Sequence, residues 1–224
     1  MAILSLSGSV GSGTPKTGIP HNDPADVMAV RDRLIELGFD WADDVRTGKE
    51  KDFIRIIKLF QCIVQGRSKL DGGDGRIDVG GLTWKWLCAQ NAPRWRNIDG
   101  ESGIGWKVTS DLPFGDKKNS FTTSWMIDRI NAAALLYSAR AFIGTSDAPP
   151  FWIRDTSPAK GGKAMGHASH QTGLDVDMRL PLLPPKTESW DLLKGEAYNK
   201  FFHREAALLQ VEAIKASMDT KFIF

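Results

Sequence analysis

"GHASHQTGLDVDMRL", residues 166–180, is the stretch of this sequence that decides the fold of its second half. From residue 174 onward, apolar and polar side chains alternate, and the apolar positions are Leu174, Val176, Met178 and Leu180. A period of two is typical of a β-strand with one buried face. We therefore predict a strand here, with Asp175 and Asp177 on the face opposite the apolar one.

The residues before this predicted strand indicate a site. They include two of the four histidines in the chain, His167 and His170, and also Gly173, which allows the backbone to bend sharply. His170 and Asp177 can therefore converge, and imidazole nitrogen and carboxylate oxygen are both good zinc ligands. The neighbouring polar residues could orient such ligands through hydrogen bonds: Ser169, Gln171 and Thr172. Two interpretations stay open from the residues alone, a metal site and a hydrogen-bonded polar loop.

Around this stretch, the sequence predicts that the second half of the chain contains both helices and strands. Residues 94–119 are rich in Gly, Asp and Lys without periodicity, which predicts an interdomain linker or an entry loop. The pattern then predicts a helix over about 123–142, a strand at "FWIRD", a loop into the histidine stretch, and a proline-rich loop after it. A helix over about 198–217 and a strand at "TKFIF" close the chain. The predicted fold class is α+β.

The first half reads as a small helical domain. Residues 1–23 are predicted to be flexible because Gly, Ser and Thr dominate them. Apolar residues at helical spacing predict one helix from Pro24 to Gly38 and a second over about 52–65. A Gly-Asp-Gly turn leads to Thr83, the predicted N-cap of a third helix, so residues 24–93 form a three-helix unit.

Three segments of this unit resemble the peptidoglycan-binding domain of cell-wall hydrolases: "VRDRLIELGF", "IKLFQ" and "DGRIDVGGLTWKWL". In that family an Asp-Gly turn precedes a Thr that starts the last helix, and a Phe-Gln pair closes the middle helix. The resemblance covers about residues 24–92 and implies binding to the bacterial wall. A generic helical interaction module is the alternative.

The histidine stretch resembles a second family. The six residues between His170 and Asp177 match the spacing in lysostaphin-like, D-Ala-D-Ala carboxypeptidase and hedgehog-like zinc proteins. The string "GHASHQTGLDVD" is similar to the "SHQxGLDVD" signature of penicillin-insensitive murein endopeptidases. The resemblance implies that residues 120–224 form a small α+β domain with an antiparallel sheet. It also implies that His170 and Asp177 are zinc ligands and that His167 is an active-site histidine near the metal.

The function implied is peptidoglycan hydrolysis, with zinc as cofactor and the D-amino-acid peptide cross-link of the wall as substrate. The alternative is a non-catalytic peptidoglycan-binding protein that retains a degenerate peptidase fold. The family's third zinc ligand comes from a downstream His-x-His pair, and no such pair occurs here. His203 is the candidate substitute, if its helix packs over the site, and a ligand from another chain is a further alternative. We expect the domain to be incomplete at its C-terminus. We therefore expect weak or absent zinc binding and little activity in this chain, with peptidase activity in a longer form.

The overall amino-acid composition limits the classes of binding partner. The chain has 224 residues, a net charge of +2, 42% hydrophobic and 25% charged residues, which gives no support to nucleic-acid or anionic-membrane binding. The start lacks the pattern of a secretory signal and no run of 18 apolar residues occurs, so we expect no membrane insertion and synthesis in the cytoplasm. Action on the periplasmic wall would then need non-standard export, as an antibacterial effector with an immunity protein as partner, or as a phage lysin.

The two cysteines, Cys62 and Cys88, lack the Cys-x-x-Cys spacing of a zinc site. We interpret them as buried small hydrophobic residues. A disulfide and a metal-binding pair are the alternatives.

Overall fold

The α+β fold class is confirmed. The computed structural model describes residues 4–13, 18–108, 119–141, 148–164, 166–183 and 201–219. The helices in this part of the chain are α1 (Pro24–Glu36), α2 (Lys51–Val64), α3 (Leu82–Cys88), α4 (Ser124–Ala141) and α5 (Arg204–Ser217). The strands are β1 (Val10–Gly11), β2 (Arg76–Ile77), β3 (Trp95–Asn97), β4 (Ser102–Gly103), β5 (Trp106–Val108), β6 (Phe121–Thr123), β7 (Phe151–Ile153) and β8 (Met178–Arg179).

Helices α1 and α2 form where the apolar spacing predicts them. The Asp23 carboxylate caps α1 by accepting the backbone N–H of Ala25, Pro24 follows as the first helical residue, and Gly38 ends the run at φ 89°. In α2 the predicted apolar face is fully buried at Phe53, Ile56, Ile57 and Phe60. Burial of these faces forms the core of the helical module.

The predicted N-cap of the third helix is wrong. Gly81, in extended conformation, is the N-cap of α3, and Thr83 lies in its first turn. The reason is a side-chain contact, because the Thr83 hydroxyl accepts a hydrogen bond from Gln61 Nε2 at 3.2 Å. The same Gln61 amide binds Asp74 Oδ1 and the backbone of Gly75. Thus α2 and the Gly-Asp-Gly turn are joined by one side chain.

The described residues 4–13 near the start of the chain form a short strand and contact α1. Val10 is fully buried and pairs with Ile77, so β1 and β2 form a two-stranded antiparallel sheet. The Asp26 carboxylate accepts the backbone N–H groups of Ser7 and Gly8, at 3.0 and 2.8 Å. These bonds replace water for the backbone N–H groups of Ser7 and Gly8. Flexibility of residues 1–23 stays a prediction.

The predicted linker also contains strands. Strand β3 pairs antiparallel with β6, and β4 pairs antiparallel with β5. Trp95 in β3 and Trp106 in β5 are both buried, each with 3% of its surface exposed. Strands of two or three residues are too short to show a period of two, which explains why the sequence pattern missed them. Residues 109–118 lie outside the described part.

Helices α4 and α5 share a core with a four-stranded sheet of order β4-β5-β7-β8. Strands β5 and β7 are parallel and the other pairs are antiparallel. The predictions of α4 and of a strand at "FWIRD" are confirmed. Helix α5 begins at Arg204 with His203 as its N-cap, and the predicted helix start near residue 198 lies outside the described residues. The predicted strand "TKFIF" lies outside the described residues.

The chain divides into two compact units that are discontinuous in sequence. The first unit comprises Met1–Asn97, Phe121–Ser124 and Ser157–Asp175, and the second comprises Ile98–Ser120, Trp125–Thr156 and Val176–Phe224. The loop that carries His167 and His170 therefore folds with the helical module. The predicted boundaries at 93 and 119 do not follow this division, and independent folding of the predicted domains stays a prediction.

The two cysteines are free, and Cys62 is buried whereas Cys88 is half-buried. Burial raises the pKa of both thiols, which keeps them neutral near pH 7. The interpretation of Cys62 as a small buried hydrophobic residue is confirmed. None of the helices in the described residues is long and apolar enough to be a candidate membrane span.

Candidate metal centre

The predicted strand over residues 174–180 is wrong except at its end. Only Met178–Arg179 is a strand, residues 174–179 are all half-buried, and Leu180 is 45% exposed, so burial does not alternate. At Asp177 the backbone does pair, since its N–H donates to the Asp155 carbonyl and its own carbonyl accepts from Arg154, both at 2.8 Å. These two bonds fix the backbone that carries the Asp177 side chain.

The sharp bend predicted at Gly173 is confirmed. Its φ is 68°, in the left-handed region, and its carbonyl accepts the Thr122 hydroxyl at 2.8 Å. A Cβ atom at this position would lie 2.8 Å from Thr122 Cα and 2.8 Å from a ring carbon of Trp95. Both the backbone conformation and the close approach therefore require glycine. This bend lies directly before the segment in which the alternation predicted a strand.

His170 has an unusual backbone for a residue with a side chain. Its φ is 58°, it is 5% exposed, and its N–H donates to Asp175 Oδ2 at 3.2 Å. A left-handed conformation costs a non-glycine residue about 1–2 kcal/mol and is kept only where surrounding contacts fix it. Asp175 was predicted only as a residue on a polar face, and its bond to His170 had no signal in the sequence.

His167, His170 and Asp177 come together. One ligand atom from each of the three residues lies within 4.8 Å of the other two. The two imidazole rings have centroids 4.5 Å apart and are tilted by 59°. Within the described residues, this is the one group of three or more His, Cys, Asp or Glu side chains that could hold a metal ion. Two nitrogens and one oxygen form a donor set that suits zinc.

The structure thus brings together His170 and Asp177, the two residues predicted to be ligands. It adds His167, which was predicted to be an active-site histidine near the metal, as the third member of the group. His203 has a different role, at the start of α5. Its Nδ1 accepts the backbone N–H of Ala206 at 3.3 Å and caps α5, and the group of three does not include it.

Two of the polar residues beside the histidines, Gln171 and Thr172, bind backbone groups of distant residues. The Thr172 hydroxyl, which is fully buried, donates to the Arg67 carbonyl at 2.7 Å. Gln171 Oε1 accepts the N–H of Leu70 at 3.0 Å. Sequence reasoning predicted that these residues would support the site, but it could not identify partners that lie about a hundred positions away in the chain.

One known protein family matches the region that carries this site. Residues 116–217, slightly under half of the chain, match the family described as penicillin-insensitive murein endopeptidase. That match includes all three residues of the group. No curated protein and no solved structure matches the chain.

This part of the chain is similar to a murein endopeptidase. The match does not extend to the N-terminal helices.

Proposed function

We propose that the protein is a zinc-dependent endopeptidase that cleaves D-amino-acid peptide cross-links of peptidoglycan at the bacterial cell wall. The observation that carries the proposal is the group of His167, His170 and Asp177, which lies inside the region that matches the murein endopeptidase family. A catalytic zinc site typically has three protein ligands and one open position. The group has that number and that chemistry.

Zinc bound there would act as a Lewis acid and lower the pKa of a bound water towards neutrality. The chain's contribution is to hold the donor atoms in place before binding. The backbone of Asp177 is fixed on both sides by Arg154 and Asp155. His170 is buried, and its N–H is held by Asp175. Donors fixed in this way lose little conformational freedom when the metal binds.

The first test of the proposal measures zinc content and zinc affinity of purified wild type, His170→Ala and His203→Ala chains. His170→Ala should lose tight zinc while its fold is retained, because a loop ligand contributes little to the core. His203→Ala should bind zinc as wild type does. Unchanged zinc stoichiometry in His170→Ala would remove this residue from the metal site.

A second variant assigns the role of His167. If this histidine is the third ligand, His167→Ala should weaken zinc binding by as much as His170→Ala does. Retained zinc with lost turnover of cross-linked muropeptides would instead make His167 a proton-transfer residue, the active-site role first implied by the sequence resemblance. The two outcomes exclude one another.

We also propose that the helical module of α1, α2 and α3 contributes to wall binding. Support comes from the predicted three-helix pattern, which these helices reproduce, and from the Gln61 side chain that joins α2 to the Gly-Asp-Gly turn. An Asp177→Asn chain should still sediment with purified sacculi. If wild type sediments but releases no product, the non-catalytic wall-binding alternative is correct.

Delivery as an antibacterial effector with an immunity protein, or as a phage lysin, stays a prediction. Expression of the chain in the periplasm should be toxic, and Asp177→Asn should abolish that toxicity. Equal harmlessness of periplasmic and cytoplasmic expression would contradict the effector hypothesis.

A further inference from the structure

We infer that the turn after α2, residues 67–70, positions the histidine loop of the metal centre, and that Gln171 and Thr172 are the positioning residues. The helical module would then be a structural part of the site in addition to any role on the wall. The measurement of zinc affinity that tests this inference rests on the proposed zinc function. The measurement of amide hydrogen exchange does not.

Hydrogen bonds join the turn to the histidine loop at successive residues. The Thr172 hydroxyl donates to the Arg67 carbonyl at 2.7 Å, and the Gln171 N–H donates to the Ser68 carbonyl at 3.2 Å. In the opposite direction, the Leu70 N–H donates to Gln171 Oε1 at 3.0 Å. Both the backbone and the side chain of Gln171 are therefore held by the turn. Thr172 is fully buried, which excludes water as a replacement partner for its hydroxyl.

The earlier part of the loop is held on α2 itself. Arg55 Nη2 donates to the Gly161 carbonyl at 2.8 Å. A Cβ at Gly161 would lie 2.8 Å from Leu59 Cδ2, so the backbone is packed directly against the helix. The Gly162 N–H then donates to the Gln171 carbonyl at 2.7 Å, which closes the loop. Residues 161–172 are thus fixed at both ends by the same helix and the turn that follows it.

His170 lies immediately before these anchors and has the left-handed backbone described above, with φ 58°. Such a conformation persists only when neighbouring contacts determine it. Gln171 and Thr172 supply those contacts on one side and Asp175 supplies one on the other. Loss of the anchors would let His170 relax to an ordinary conformation, and its imidazole would leave the group.

The expected loss of zinc affinity follows from two general observations. Ordering one residue costs about 1–2 kcal/mol of conformational entropy, so a loosened loop would have to be ordered when zinc binds. Removal of residues that orient metal ligands typically reduces metal affinity about 10–100-fold. We expect a loss in that range for a variant that lacks the anchor.

The experiment compares full-length wild type with Thr172→Val, Gln171→Ala, Thr172→Ser and Thr83→Val. Thr172→Val removes the hydroxyl and nearly keeps the shape, whereas Thr172→Ser keeps the hydroxyl. Thr83→Val is the matched control, because it removes another hydroxyl from the helical module that is hydrogen-bonded to Gln61 and is not in the loop. Zinc affinity is measured by chelator competition, and amide hydrogen exchange of residues 161–173 is measured in the metal-free chain.

Thr172→Val and Gln171→Ala should weaken zinc binding about 10–100-fold and accelerate exchange in residues 161–173. Thr172→Ser and Thr83→Val should stay within about twofold of wild type in zinc affinity. Unchanged exchange in Thr172→Val, or equal zinc loss in Thr83→Val, would overturn the inference. If wild type binds no zinc, the proposed function fails, and the exchange measurement alone decides whether the turn positions the loop.

Discussion

At the scale of single residues, Gly173 makes the bend that separates the histidines from Asp177. Gly66 has the same φ of 68° with open space around it, whereas a Cβ at Gly173 would meet Thr122 Cα at 2.8 Å. Gly66→Ala should cost about 1–2 kcal/mol of unfolding free energy from backbone strain alone. Gly173→Ala should cost about 1–3 kcal/mol more, because the neighbouring backbone must shift. Denaturant unfolding measures both, and equal losses would show that the close approach does not matter.

The carboxyl of Glu50, at the start of α2, allows a second prediction at the scale of a single residue. Burial raises the pKa of its carboxyl, but backbone N–H groups, including those of Arg46 and Thr47, outweigh burial and bring the pKa to about 2. The folded pKa is thus below the ordinary value of 4.5. Its stabilisation is therefore present above about pH 4.5 and is lost as pH falls through about 2.

The corresponding variant is Glu50→Gln. Hydrogen bonds to a charged group contribute about 1.5–3 kcal/mol, so the melting temperature at pH 7 should fall by several degrees. The difference from wild type should shrink steadily between about pH 4.5 and pH 2. Asp52→Asn is the control, since Asp52 is an exposed acidic residue in the first turn of the same helix. A difference that does not change with pH would contradict the lowered pKa.

Some of the site could be predicted from single residues and some could not. His170 and Asp177 lie in one short segment, so a bend at Gly173 was enough to predict that they converge. The backbone of His170 and its bond to Asp175 depend on contacts with distant residues, and no local pattern encodes a left-handed histidine. The place of His167 near the metal was implied by family resemblance and not by its spacing.

At the scale of elements, the helices with apolar periodicity were predictable and the short strands were not. Helices α1, α2 and α4 begin and end within about two residues of the predicted positions. Burial of a continuous apolar face produces that signal. Strands β1, β3, β4 and β5 have two or three residues each, so they carry no period. The alternation at 174–180 predicted a long strand, but only Met178–Arg179 forms one.

Gln61 connects α2 with the Gly-Asp-Gly turn, and its replacement tests how these elements are held together. Its side chain, 4% exposed, binds Asp74, Thr83 and the backbone of Gly75 and Arg76. Gln61→Leu should lower the unfolding free energy by about 2–4 kcal/mol, because buried polar partners lose their bonds. Gln65→Leu, the same change at an exposed position just after α2, should have little effect on thermal unfolding. Similar melting temperatures for both variants would contradict this role.

At the scale of the whole molecule, the sequence predicted consecutive domains and the structure has two discontinuous units. The first unit depends on pairing between segments that are distant in the chain, such as Trp95 with Thr123 and Phe121 with Ser157. Composition and local periodicity contain no information on such pairing. Its consequence for function is that the histidine loop is built on the helical module.

Digestion of purified sacculi, followed by mass spectrometry of the released products, tests the zinc endopeptidase function most directly. Wild type, wild type with a chelator, chelated wild type with zinc restored, and Asp177→Asn would be compared. Wild type should release muropeptides cut in their peptide cross-links, and the chelator and Asp177→Asn should each reduce release by at least about 100-fold. Zinc should restore activity to the chelated wild type. Cross-link cleavage that persists at full rate in the chelator and in Asp177→Asn, or no cleavage by zinc-loaded wild type, would contradict the proposed function.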